Sequence, residues 1–262
     1  MTTEQMKQLG EEVKNRVTVE EWQTRVNLAA AYRLIASYGW DDMIYTHISA
    51  RVPGTEDEFL INPFGLMFDE VTASSLVKIN GKGEKVDDSP FPVNPAGFTI
   101  HSAVHQVRHD AACVIHLHTI AGTAVATDPR GLLPLNQTAM LVRDDIAYHD
   151  FEGVAVDLDE RPRLQQDLGE KNIMLLRNHG TLTLGATIAE AFMRIYFIER
   201  AAEMQVATLS STGGEFYPAT EEVQDKVADQ GRDEEIARQS ANMLAWPALL
   251  RRLDRLDPSY KT

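Results

Sequence analysis

The chain alternates between short apolar runs and longer stretches with helical periodicity. Leu28, Ala31, Tyr32 and Ile35 fall at i, i+3, i+4 and i+7, one face of a helix. Thr18, with Glu21 three residues on, is a capping-box start, and Gly39 stands where a helix ends. The pattern predicts a helix over 19–38. Residues 1–17 are charged and weakly patterned, an arm or a late-packing helix. Three short strands follow, 43–51, 58–62 and 76–80, separated by Pro53-Gly54, Pro63 with Gly65, and Gly81-Lys82-Gly83. Tight turns between short strands predict antiparallel pairing.

Asn94-Pro95 is a helix start, with Asn as cap and Pro at the first position, so a helix is expected from Pro95 to about Arg108. Gly97, His101 and His105 lie four apart on its face. A strand is expected over 112–118. A helix of small residues follows to Thr127, ended by Asp128-Pro129-Arg130-Gly131. Ile146-Ala147-Tyr148 and Val154-Ala155-Val156 read as strands, and Arg161–Leu168 as a short helix. Ile173–Arg177 is a strand, and Thr181–Leu184 pairs back as a hairpin arm. Thr187 and Glu190 open a long helix, about 188–209. Its first half is apolar nearly all round, so it is expected to be buried on more than one side, by the sheet or by another subunit. The tail, 218–262, turns polar, with helical stretches near 221–229 and 233–245 stopped by Pro247. It reads as a solvated helical surface or a subunit contact.

The mixture of strands and helices predicts an α/β fold: a three-layer α/β/α sandwich with a largely antiparallel central sheet. We read residues 1–262 as a single domain, with a core of about 20–210 and a helical C-terminal extension.

Composition narrows the partners. A net charge of −14 disfavours binding to phosphate backbones or to an anionic membrane surface. A single cysteine, Cys113, rules out an internal disulfide and fits a reducing compartment. It is expected to serve as small apolar filler. The polar first residues do not read as a signal peptide, and no apolar run reaches the length of a membrane span. The expected location is the cytoplasm and the expected partner a small molecule.

The chemistry centres on Val114-Ile115-His116-Leu117-His118-Thr119. In a strand, residues i and i+2 share a face, so His116 and His118 project side by side while Ile115 and Leu117 go the other way. Two imidazoles held together form half of a site for Zn, Fe, Ni or Cu. His179 lies in another apolar run that meets Gly180, where a strand runs into a turn. From the residues alone two readings stand: hydrogen-bonded core histidines, or three imidazoles meeting on one ion. Burying neighbouring imidazoles costs free energy unless each finds a partner, which an ion supplies to both.

Three stretches together, Asn94-Pro95-Ala96-Gly97-Phe98-Thr99-Ile100-His101-Ser102-Ala103-Val104, Val114–Thr119 and Leu176-Arg177-Asn178-His179-Gly180, resemble the class II aldolase/adducin family over roughly 20–210. The resemblance implies a three-layer α/β/α fold and a homotetramer. It also implies a divalent ion, commonly zinc, on His116, His118 and His179. Family enzymes cleave or epimerise sugar phosphates. In them the metal chelates carbonyl and hydroxyl oxygens as a Lewis acid and stabilises an enediolate.

The sequence departs from that pattern twice. Where the aldolases carry Ser-Ser-Glu, with Glu as acid/base, this chain has Pro95-Ala96-Gly97. An Asn of the phosphate loop is replaced by His47, within Tyr45-Thr46-His47-Ile48-Ser49. Both departures resemble the adducin-like branch and weigh against a sugar-phosphate substrate. His101, one turn after Gly97, is the candidate base, with packing at the helix–sheet junction as its other reading. His47 and Tyr45 are further pocket candidates. His105, His109 and His149 are expected to be solvated or locally hydrogen-bonded. A cupin would need a Glu shortly after the pair, and an amidohydrolase would place the pair near its N-terminus; neither fits. The expectation is a metal-dependent lyase, with epimerase or decarboxylase chemistry open. The alternative is a non-catalytic, adducin-like binding or assembly module.

Overall fold

The computed structural model describes residues 3–93, 98–154 and 158–262. The expected helix start at Asn94-Pro95, the position of Gly97, and Ala155-Val156 of one expected strand lie outside the described residues.

Seven strands form one sheet: β1 (His47–Arg51), β2 (Glu58–Ile61), β3 (Val77–Asn80), β4 (Cys113–Leu117), β5 (Ile146–His149), β6 (Ile173–Leu176) and β7 (Gly180–Gly185). Their order is β3-β2-β1-β4-β7-β6-β5. Only β5 and β6 run parallel, so the sheet is largely antiparallel, as expected. The β1 strand is shorter than expected. Residues before it form a turn, with the Tyr45 amide donating to the Asp42 carbonyl at 2.9 Å. Met43 takes a left-handed φ of 51° there, which no strand accommodates.

Helices cover both faces. The helices α1 (Thr3–Arg16), α2 (Val19–Tyr38), α3 (Thr99–Val107), α4 (Ile120–Thr127), α5 (Gln137–Val142) and α6 (Arg161–Leu168) precede the long α7 (Ile188–Thr212). The larger core joins α2, α4, α5 and α7 to Ile48, Ala50, Cys113, Ile115, Leu117, Ile173 and Leu175 on one sheet face. The smaller core joins Ile100, Ala103 and Val104 of α3 and Leu164 and Leu168 of α6 to Val114, Met174, Leu176, Leu182 and Leu184 on the other. Strand alternation alone makes this division: Cys113 is apolar filler on the first face, and His116 belongs to the second. The short α5 was not expected, because six residues carry too little period to be recognised.

Thr18 and Thr187 cap α2 and α7, their hydroxyls accepting the Glu21 and Glu190 amides at 3.1 Å each. Neither glutamate reaches back to close its box. Glu21 is taken by Arg25 at 2.9 Å and Lys78 at 2.8 Å, and Glu190 by the Asn242 side-chain amide at 2.8 Å. Charge pairing and tertiary contact outcompete the local bond.

The tail is not simply a solvated surface. After α8 (Glu221–Gly231) and α9 (Glu234–Gln239), a π-helical turn, Ser240–Ala245, runs straight into α10 (Trp246–Leu256). Pro247 therefore starts a helix rather than stopping one. Proline at the first positions of α10 brings the φ that a helical start needs, and the wide π turn before it, where the Trp246 amide donates to the Ala241 carbonyl, relieves its clash with the preceding carbonyls. Trp246, Leu253 and Tyr260 are buried in the larger core. Among the described residues, no helix is long and apolar enough to cross a membrane.

Candidate metal centre

β4 delivers His116, and the residue just past its end is His118. Their Nε2 atoms lie 2.9 Å apart, on the face away from Ile115 and Leu117. His179 arrives from the β6–β7 connection, and its ring centre is 4.7 Å from that of His116 and 4.8 Å from that of His118. One ring nitrogen from each of the three falls within 4.8 Å of the other two. The sequence placed these residues in two distant segments; the antiparallel pairing of β4 with β7 brings them together.

Two backbone features make that meeting possible. The Leu176–His179 turn is closed by the His179 amide donating to the Leu176 carbonyl at 3.1 Å. Asn178 sits in it at φ 56°, a conformation asparagine tolerates. Gly180 then passes so close to β4 that a Cβ there would stand 2.2 Å from the Leu117 carbonyl oxygen and 3.1 Å from His118 Cδ2. Gly180→Ala is therefore expected to force the strands apart at the cluster. It should cost about 1–3 kcal/mol, as overpacking usually does, read by urea unfolding. A variant as stable as the parent would show that the strands yield.

Hydrogen bonds fix the imidazole tautomers. His116 Nδ1 donates to the Thr181 carbonyl at 3.0 Å, which leaves its Nε2 lone pair facing His118. His118 Nδ1 pairs with the Asp42 carboxylate at 3.2 Å, directing its own Nε2 inward. Outer partners of this kind orient histidine ligands in metal sites. A contact of 2.9 Å between the two Nε2 atoms is closed either by a proton on one of them or by a cation between them. Burial, and then the neighbouring imidazoles, push His116 well below the ordinary histidine range. Burial first and His118 second push His179 down to about 4. All of this favours neutral ligands over protonated ones. A zinc ion with bonds of about 2.0–2.1 Å holds two ligand nitrogens about 2.9–3.4 Å apart, so this donor set fits a divalent cation.

A second group of histidines adjoins the first. His47 is the strand partner of His116, and its ring centre lies 5.5 Å from that of His116. His47 Nδ1 meets His101 Nε2 at 2.8 Å. His101 Nδ1 meets Ser49 Oγ at 2.7 Å, and Ser49 Oγ meets His105 Nε2 at 2.8 Å. His101 and His105 share one face of α3, as their spacing predicted, and both are buried. His101, the candidate base, has both ring nitrogens engaged and no exposed surface, whereas His47 is partly exposed beside the cluster. Burial dominates the depression of all three, reaching about 3 for His105. Tyr45 lies exposed in the turn before β1. His109 is exposed, and His149 is locked between Asp167 at 2.7 Å and Glu160 at 3.1 Å.

Asp42 was missed because nothing in its spacing marks it. Glu199 was missed too, although a signal existed. It falls at i+7 from Phe192 and i+4 from Ile195 on α7, an acid on an otherwise apolar face.

A three-layer α/β/α sandwich with an intramolecular histidine cluster at the end of its central strands defines the class of protein. The profile of the family described as Class II Aldolase and Adducin N-terminal domain matches residues 26–206, and the chain belongs to that family. It is 52% identical over 257 residues, 97% of each chain, to PA3430 of Pseudomonas aeruginosa, whose name places it among the class 2 aldolase proteins. It is 48% identical over 193 residues to mouse alpha-adducin, covering 72% of this chain but 26% of that one. The crystal structure of an aldolase II superfamily protein from Pseudomonas syringae superposes with a TM-score of 0.89 at 46% identity, over 96% of this chain and 100% of that one. L-fuculose 1-phosphate aldolase from Glaciozyma antarctica superposes with a TM-score of 0.79 at 26% identity, over 93% of each chain.

Proposed function

We propose that the protein is a divalent-metal-dependent lyase of the aldehyde-lyase type, acting on a small hydroxy- or keto-carbonyl compound. The observation that carries this reading is the convergence of three imidazoles, two with Nδ1 tied back so that Nε2 faces inward. His116, His118 and His179 would hold the ion, and three imidazoles with an open position suit zinc. When bound, the ion supplies Lewis-acid polarisation of a carbonyl oxygen and stabilises the enolate left after bond cleavage.

The chain's own part is to move the proton. Glycine at 97 has no side chain to do so. His47 faces the cluster and His101 backs it. We assign proton transfer at the substrate to His47 Nε2, with His101 completing the hydrogen-bonded pair through Nδ1 of His47. Its neutral ring can take the proton of a substrate hydroxyl as the C–C bond breaks and return it afterwards. Decarboxylation or epimerisation would draw on the same proton shuttle. His47→Ala is expected to lower kcat by about 10²–10⁴-fold, the usual worth of a positioned acid–base group, while bound metal stays stoichiometric. Turnover unchanged in that variant would remove His47 from the reaction.

Metal analysis of the purified protein, followed by a screen of aldol donors with and without phosphate, tests the whole reading. The two departures at 95–97 and 47 favour a donor without phosphate. A second reading, a non-catalytic binding or assembly module, draws on the likeness to alpha-adducin and on Gly97. It predicts normal folding and assembly without turnover, whether or not metal is bound. The lyase reading also carries a homotetramer, which sedimentation at four times the chain mass would support.

A further inference from the structure

Glu199 lies across the sheet from the histidines. It projects from α7, is fully buried, and has no part in the chemistry above. Thr181 Oγ1 donates to Glu199 Oε1 at 2.6 Å, and Thr119 Oγ1 donates to Oε2. These two threonines are not arbitrary neighbours. Thr119 follows His118 directly, and its hydroxyl also accepts the Gly122 amide at 2.9 Å, capping α4. Thr181 follows His179 by two residues, and its carbonyl accepts His116 Nδ1 at 3.0 Å.

The seat is tight. A Cβ on Gly122 would stand 2.7 Å from Thr119 Oγ1, 2.7 Å from Thr181 Cγ2 and 2.9 Å from Glu199 Oε1. Gly122 is thus bare where the carboxyl and both threonines pack. Burying an acid is costly, and burial pushes Glu199 up to about 7 against the pull of both threonine hydroxyls, with the Glu203 charge adding to the rise. A core that needed only apolar filling here would be better served by leucine. A carboxylate is the group that accepts from both hydroxyls at once, since a neutral acid or an amide must use one of its two positions to donate.

We propose that Glu199 is a positioning residue for the metal centre: through Thr181 and Thr119 it fixes, from the opposite face of the sheet, the backbone that orients His116 and carries His118. This rests on the metal-site reading above. Losing a partner bonded directly to a metal ligand costs roughly 10–100-fold in affinity; Glu199 stands one contact further out, so its loss is expected at the low end of that range, about 10-fold.

The test uses the full chain stripped of metal and titrated with Co²⁺ against a competing chelator, with the visible d–d spectrum recorded. Glu199→Gln keeps size and shape but turns one acceptor into a donor, so one threonine hydroxyl must accept where it donated and its own proton loses its acceptor. Thr181→Val removes one hydroxyl from the same seat, and Thr181→Ser restores it. Glu199→Gln and Thr181→Val are expected to bind Co²⁺ about 10-fold more weakly, with an altered spectrum, while Thr181→Ser matches the parent. Thr181→Val carries the test if Glu199→Gln does not fold. Parent-like affinity and spectrum in both weakening variants would overturn the positioning role and leave the metal site standing. Equal weakening in Thr181→Ser would also overturn it, because the hydroxyl would then be irrelevant. A parent protein that binds no Co²⁺ would bring down the metal reading and this inference together.

Discussion

Replacing His116 with alanine is expected to abolish stoichiometric binding of a divalent ion while the sheet stays folded. His116 is the most enclosed of the three, 2% exposed, and the one whose tautomer is fixed by a backbone carbonyl. Removing a direct ligand should exceed the roughly 10–100-fold loss that removal of an outer partner brings. His118→Ala, at a half-buried position past the strand end, should give the same loss with less disturbance of the core, and so controls for misfolding. The measurement is metal content after dialysis against buffered Zn²⁺, with circular dichroism for the fold. Full occupancy in both variants would mean that the ion, if one binds, binds elsewhere. The cluster would then be hydrogen-bonded core, the plainer of the two readings the sequence allowed.

The metal-free protein is also expected to unfold in acid earlier than carboxylate titration alone would bring about. Five imidazoles, His47, His101, His105, His116 and His179, are held below their ordinary value, chiefly by burial. The unfolded chain protonates these groups near the ordinary histidine value. The folded chain resists until about 4 for His179 and about 3 for His105. Through that window the unfolded state binds more protons, so stability falls as pH falls. Each group contributes up to about 1.4 kcal/mol per pH unit. Glu199 works the other way: raised to about 7, its contribution is present at low pH and is lost as pH rises through that value. One group does not offset five. A net loss of several kcal/mol between about pH 6.5 and 4.5 is comparable to the ~5–15 kcal/mol that holds a domain together. Urea midpoints measured from pH 7.5 down to 4.5 in the presence of a chelator should drop steeply. His105→Gln, which removes one such group away from the cluster, should flatten the slope. A pH-independent midpoint over that range would show that the buried imidazoles are already protonated or readily solvated.

Much of the fold was legible because local rules and tertiary structure agreed. The threonine caps at 18 and 187, the glycine at 39 and the alternation around His116 each act within a turn or a strand of chain, where spacing alone fixes the outcome. The rules failed where a distant partner outbid the local one. Glu21 and Glu190 left their caps for Arg25, Lys78 and Asn242. Pro247 became a helix start because a π turn precedes it. Residues 43–45 left the strand for a turn that holds Asp42 beside His118.

The same division runs through the candidate site. Sequence alone determined which side chains share a strand face, that His116 and His118 point together, and that His101 and His105 lie on one side of a helix. Those facts follow from the periods of strand and helix, which any sequence carries. Only the tertiary structure decided that His179 comes within reach, because that depends on β7 pairing with β4 and on a glycine thin enough to let it. Only there, too, does His101 prove to be enclosed behind His47, and Glu199 to sit beneath the threonines of both histidine segments. Contacts between segments far apart in the chain are set by packing, and packing has no period to read.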